Sequence, residues 1–174
     1  MNELSRSGGK RLAVLIGSGD PPVFEALNPD GGAPVVLVAD HASRAVPAAL
    51  DGLGLDEGHF ERHIAYDIGA AGVTRLLAAQ LDAPAVLAGY SRLVIDVNRP
   101  PGHPQSIPEA SDGTEIPGNR GLGEEAQKRR GADQGEKHQR LNDLAAALLG
   151  CPVISRATRR HCRRAMPVGN VAVR

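Results

Sequence analysis

The sequence predicts an α/β fold in a single domain, and three observations point there. Short apolar runs rich in β-branched residues alternate with segments of helical periodicity, in the order strand, helix, strand, strand, helix, strand. With 174 residues and 41% hydrophobic content, the chain can bury a real core, built from Leu, Val, Ile and Ala because aromatics are 2% and Trp is absent. The run Val35-Val-Leu-Val-Ala-Asp-His-Ala-Ser43 ends a buried-type strand in an acid, an imidazole and a hydroxyl. Open α/β sheets carry their chemistry at such carboxyl ends.

Residues 1–22 are expected to form a flexible leader. Within it, Arg11 to Ile16 has the composition of a short strand that breaks at Gly17-Ser-Gly-Asp-Pro-Pro22. That glycine pair is not a dinucleotide fingerprint, because prolines stand where a phosphate-binding helix would begin. Phe24-Glu-Ala-Leu27 leads into the loop Asn28 to Gly32. Pro34 to Ala39 fits a central strand covered on both faces. Pro47 to Leu50 reads as a helical turn, and Asp56 as the N-cap of a helix through His59, Arg62 and His63.

From Asp67 to Leu81 the apolar residues Ile68, Ala71, Val73, Leu76, Leu77 and Leu81 recur at helical spacing, with Asp67 placed to cap. Pro84 to Leu87 and Arg92 to Asp96 read as two further strands. Residues 100–118 form a long loop rich in Pro, Gly and Ser, and such loops are usually functional or disordered. Gly121 to Leu149 reads as a charged helical region weakened at Gly131 and Gly135, and Pro152-Val-Ile154 as a last strand.

The formal net charge is zero but unevenly spread. Residues 1–120 carry 15 acids and 9 bases, residues 121–174 carry 5 acids and 11 bases, and no acid follows Asp143. A basic tail at 156–174, of doubtful structure, is compatible with an anionic partner. The scarcity of aromatics argues against a base-stacking surface, and no nucleic-acid partner is expected. Cys151 and Cys162 match neither a CxxC motif nor a disulfide framework, so a reduced, cytoplasmic chain is expected. There is no apolar run long enough for a membrane span and no secretory signal pattern, so no membrane partner is expected; oligomeric state is open.

Four clusters could carry chemistry. His41 follows the central strand and reads equally as a hydrogen-bonded loop histidine or as a metal or catalytic group. Ser43 lacks the surroundings of a nucleophile elbow. His63 and Asp67 share a face if helical, which suits either an acid/base pair or an ordinary solvated pair. Arg92, Asp96 and Asn98 share one side of a strand, and Arg99 leaves it just before two prolines. These groups either form a structural salt bridge or hold a carboxylate by parallel hydrogen bonds. Asn119 and Arg120 lie in a turn that suits either the site or a plain helix entry.

As a set, Asp40-His-Ala-Ser43, His63-Ile-Ala-Tyr-Asp-Ile-Gly-Ala70, Tyr90-Ser-Arg-Leu-Val-Ile-Asp-Val-Asn-Arg99 and Ile116-Pro-Gly-Asn119 resemble the N-formylglutamate amidohydrolase family over about residues 23–149. The resemblance implies a zinc-carboxypeptidase-like (phosphorylase/hydrolase-like) fold with a mixed sheet flanked by helices. It also implies metal-dependent hydrolysis of the amide bond in N-formyl-glutamate or a similar small-molecule N-acyl amino acid. On that mapping His41 and Asp67 are metal ligands for a divalent cation, zinc, and Asp67 and His63 are the acid/base candidates. Arg92, Asn98, Arg99 and Asn119 bind substrate, with Asn98 and Arg99 gripping the α-carboxylate.

The chain departs from the family after Ser155, where a His-Ser word followed by Phe-Thr-Pro is expected and Arg156-Ala-Thr-Arg-Arg-His-Cys-Arg-Arg164 stands instead. Residues 23–155 are therefore expected to be a partial domain of a truncated or frame-shifted member. The alternative function is a catalytically incomplete domain that retains carboxylate binding.

Overall fold

The computed structural model describes residues 15–100 and 102–132 and the backbone of residues 171–172. A four-stranded sheet organises the domain. Its strands are β1 (Phe24–Leu27), β2 (Leu37–Ala39), β3 (Ala85–Ala88) and β6 (Val171–Ala172), in the order β1-β3-β2-β6. β2 runs parallel to β3 and to β6, while β1 runs antiparallel to β3, so the sheet is mixed. β2 is central, as its uninterrupted apolar run predicts. β1, read from sequence as a lead-in to a loop, is an edge strand, with Phe24 opposite Ala88. β6 falls within the stretch read as a basic tail. The leader's first fourteen residues, most of the strand expected from Arg11, the strand expected at 152–154 and the helix beyond residue 132 lie outside the described residues.

The described end of the leader is tied to the body. The Asp20 carboxylate accepts the backbone N–H groups of Gly17 and Ala48, and the Tyr90 hydroxyl donates to the Pro21 carbonyl. This segment lies so close to the chain at Gly89 that a Cβ there would sit 1.9 Å from the Pro22 carbonyl oxygen, which explains the glycine.

α1 (Ala70–Leu81) crosses between β2 and β3 and packs on both. The helix stands where the periodicity predicts it, and the structure adds which face it buries. Ala70, Thr74 and Ala78 meet the sheet, whereas Ile68, Val73, Leu76 and Leu81 are exposed. Small side chains let a helix approach a sheet closely, and here they set the rotation in preference to the larger apolar residues. Asp67 does not cap α1 with its side chain. Gly69, at φ 89°, is the cap residue, and Asp67 offers its carbonyl to the Ala70 N–H.

Two 310 segments, Ala48–Gly54 and Glu57–Glu61, replace the helical turn and the longer helix expected there. The long loop contains a small hairpin, β4 (Ala110–Ser111) and β5 (Thr114–Glu115), followed by a 310 turn at Pro117–Asn119. Residues 124–132 are helical, as the charged pattern predicts.

The segment expected as a strand at Arg92 to Asp96 is not one. It is a run of turns, with the Val94 N–H on the Ser91 carbonyl and the Arg99 N–H on the Asp96 carbonyl. Leu93, Val94 and Ile95 still fill a core, with Leu53, Ile64, Ala65 and Ile116. A second core, around Leu37, Ala39, Ala78, Ala85 and Leu87, lies between α1 and the sheet.

Candidate functional site

His41 leaves the carboxyl end of β2 and is 6% exposed. Its backbone carbonyl receives the Asp67 N–H, which brings the segment before α1 against the end of β2. The imidazole is held on both nitrogens. Nδ1 lies 3.2 Å from Asp67 Oδ2, and Nε2 lies 2.8 Å from Asp96 Oδ1. An imidazole satisfies two carboxylate acceptors when each ring nitrogen carries a proton.

Arg92 ties the two acids together. Its Nη2 donates to Asp96 Oδ2 at 2.9 Å and its Nη1 to Asp67 Oδ1 at 3.4 Å. The Asn98 N–H donates to Asp96 Oδ1, and Arg99 Nε stands 3.8 Å from Asp96 Oδ2. Burial alone would raise the pKa of Asp96. The His41 hydrogen bond and attraction, the Asn98 N–H and the Arg92 guanidinium outweigh it and hold the carboxyl at about 2.

The turns that replace the expected strand are what bring Arg92 and Asp96 together. Their four-residue separation closes an ion pair across turned backbone. The backbone groups left without a ladder are met by side chains. Ser91 Oγ donates to the Ala65 carbonyl and accepts the Leu93 N–H. Asn119 Nδ2 donates to the carbonyls of Leu93 and Pro108, and Asn119 Oδ1 accepts from Arg130 Nη1 at 2.6 Å.

Of the residues expected to work together, His41, Asp67 and Arg92 interlock, and Arg99 stands at the same carboxylate. Asp96, noted in the sequence with Arg92, is the hub of the cluster. Asn98 contributes its backbone N–H and is exposed.

One residue departs from expectation. His63 is not brought to the cluster: it is 70% exposed and lies 3.7 Å from Asp112, because the helix that would have put it over Asp67 ends at Glu61. Asn119 is 2% exposed, and its amide nitrogen and oxygen are all engaged by protein groups, which ties it to the turn at Leu93 and to Arg130. Arg130, 3% exposed, was hidden from sequence reasoning by its place in a Lys-Arg-Arg run that looks like a solvated helix face.

Two hollows flank these groups. One of about 200 Å³ at the carboxyl ends of β2 and β3 is lined by Ala42, Ser43, Ala88 and Gly89, with Glu25 and Arg75. A larger one of about 460 Å³, between the loop 102–107 and the helical residues 124–131, touches Ile95 but none of the interlocked charged groups. The smaller hollow is the one that adjoins His41 in the chain.

A family model described as N-formylglutamate amidohydrolase matches residues 33–144, more than half of the chain. The chain belongs to the N-formylglutamate amidohydrolase family. All four clusters of the sequence lie within the matched span. The crystal structure of a gene product from Agrobacterium tumefaciens is similar to this family member at 33% identity and a TM-score of 0.74, covering 76% of this chain. The match covers 53% of that protein, so this chain spans about half of its length. Comparison with curated proteins returned no match.

The donor set for a metal is partial. His41 and Asp67 face each other, and Asp96 backs the opposite ring nitrogen as carboxylates do behind metal-bound histidines. Two donors fall short of the three protein ligands of a catalytic zinc. Among the described residues no group of three or more His, Cys, Asp or Glu is placed to hold a metal. Among the described residues no helix is long and apolar enough to cross a membrane.

Proposed function

We propose that this domain hydrolyses the amide bond of N-formyl-glutamate or a similar N-acyl amino acid. The observation that carries the reading is the carboxylate of Asp96, which faces His41 on one oxygen and Arg92 and Arg99 on the other. An acid/base centre and a half-exposed guanidinium are thereby held a few ångströms apart, the spacing a small acidic amide needs to touch both.

In this reading Arg99, half exposed at the rim, and Asn98 grip the substrate carboxylate. Arg92 is committed to Asp67 and Asp96, so it organises the acids and leaves substrate to Arg99. Asp67, the more open of the two acids, takes a proton from the attacking water and returns it to the leaving amine. The water oxygen bonds to the acyl carbon, the C–N bond breaks, and formate and the free amino acid leave. The resemblance to the family implies a divalent cation, zinc, for which His41 and Asp67 would be two of the ligands.

The two-donor set favours a second reading, a domain that binds N-acyl amino acids by their carboxylate without turning them over. One experiment separates the two. The full chain is assayed for formate release from N-formyl-glutamate, with metal content measured on the same sample. Turnover with stoichiometric metal supports the hydrolase. Saturable binding of N-formyl-glutamate with neither metal nor formate supports the binding domain.

A further inference from the structure

We infer that Arg130, acting through Asn119, is a positioning residue for this site: it fixes the turn at residues 92–96 in the setting where Asp96 meets His41. The kinetic part of the inference rests on the amidohydrolase reading; the geometric part does not.

Among the described residues the turn has no strand neighbour to hold it, and two consecutive carbonyls in it are caught by the same pair of side chains. Asn119 Nδ2 holds Leu93 O at 2.9 Å, and Arg130 Nη1 holds Val94 O at 3.2 Å. Arg130 Nη1 also donates to Asn119 Oδ1, and Nη2 donates to the Gly118 carbonyl at 3.1 Å, so the clamp is braced against the 310 turn. Two residues on, the Asp96 N–H is fixed on the Ser106 carbonyl at 2.7 Å. The segment carrying Arg92 and Asp96 is thus pinned on both sides of Ile95.

Arg130 is buried, and its acceptors among the described residues are all uncharged oxygens, an arrangement that costs solvation without the return of an ion pair. Burial lowers its pKa accordingly. Apolar residues would fill that space more cheaply. What a guanidinium adds is a rigid fork that reaches three acceptors at once.

The test uses the full chain with Arg130→Lys. Lysine keeps the charge but offers one nitrogen where the fork offers two. The ring ¹⁵N resonances of His41 are expected to shift or broaden, with the backbone amides of β2 and β3 unmoved. The kcat for formate release from N-formyl-glutamate should fall by about a hundredfold, the scale of a small misplacement of reacting groups. KM should stay near wild type because Arg99 is untouched. Asn119→Asp is the second variant: it keeps the acceptor for Arg130 and removes the donor to Leu93, and the same response is expected.

His41 resonances at their wild-type positions in a folded variant would overturn the inference, whatever the change in Tm. Failure of both variants to fold would also overturn it, because the pair would then serve folding and not the site. If wild type releases no formate but the His41 resonances respond, the amidohydrolase reading falls and the positioning role stands.

Discussion

His41 Nε2 and Asp96 Oδ1 lie 2.8 Å apart although 55 residues separate them in the chain. The contact joins the end of the central strand to the irregular turn before Pro100, and both partners are buried. Its energetics have a definite sign. The folded Asp96 pKa, about 2, lies below its ordinary value of 3.8. The unfolded state therefore binds the proton first as pH falls. The stabilisation is fully present above about pH 4 and is lost as pH drops toward 2, and it amounts to about 2 kcal/mol. Urea denaturation between pH 2 and pH 7 should show this acid limb in wild type. Asp96→Asn should be less stable at pH 7, and its deficit should shrink as pH falls through that window.

Arg99 bears on binding more than on folding. Its guanidinium is 44% exposed and 3.8 Å from Asp96, so its removal leaves the buried His41–Asp96 contact intact. Arg99→Ala should raise KM for N-formyl-glutamate by about 10- to 100-fold, the worth of a charge-assisted pair of hydrogen bonds. Tm should stay close to wild type. A parallel loss of Tm and activity would assign Arg99 to structure instead.

How much of this was legible in the sequence depends on what held each element. β2 and β3 declared themselves because their burial is set by local composition, and α1 because its helical period is strong. The rotation of α1 was not legible, because its largest apolar residues are exposed while Ala70, Thr74 and Ala78 are buried. Leu93-Val-Ile95 carries a strand's composition, yet Ser91, Asn119 and Arg130 satisfy its backbone from outside. No local pattern reports such partners. His41, Asp67 and Arg92 were legible because polar groups at a strand end or among apolar residues need a reason to be there. Arg130 was not, because a helix that buries one cation of three looks like one that buries none.

The tight packing at Gly118 gives a prediction about the clamp's foundation. A Cβ there would lie 2.8 Å from Leu53 Cα, a backbone atom in the core that cannot yield as a flexible side chain would. Gly118→Ala should cost about 1–3 kcal/mol through overpacking. The measurement is the urea midpoint at unchanged m-value. A neutral result would mean that the 310 turn shifts freely, contrary to its bracing by Arg130.

The two histidines of the sequence motifs should separate cleanly. His63 is exposed and its nearest acid, Asp112, also serves Arg62, so His63→Ala should change stability by less than about 0.5 kcal/mol and leave formate release unaltered. His41→Ala strips a buried carboxylate of its partner and leaves Asp96 with Arg92 and the Asn98 N–H. Breaking a buried pair in this way costs about 3–5 kcal/mol. If His41 also ligates a cation, the variant purified at low temperature, where it remains folded, should lose the metal that His63→Ala retains. Equal metal loads in the two variants would remove His41 from the ligand set, and loss of activity in His63→Ala would return the exposed histidine to the reaction.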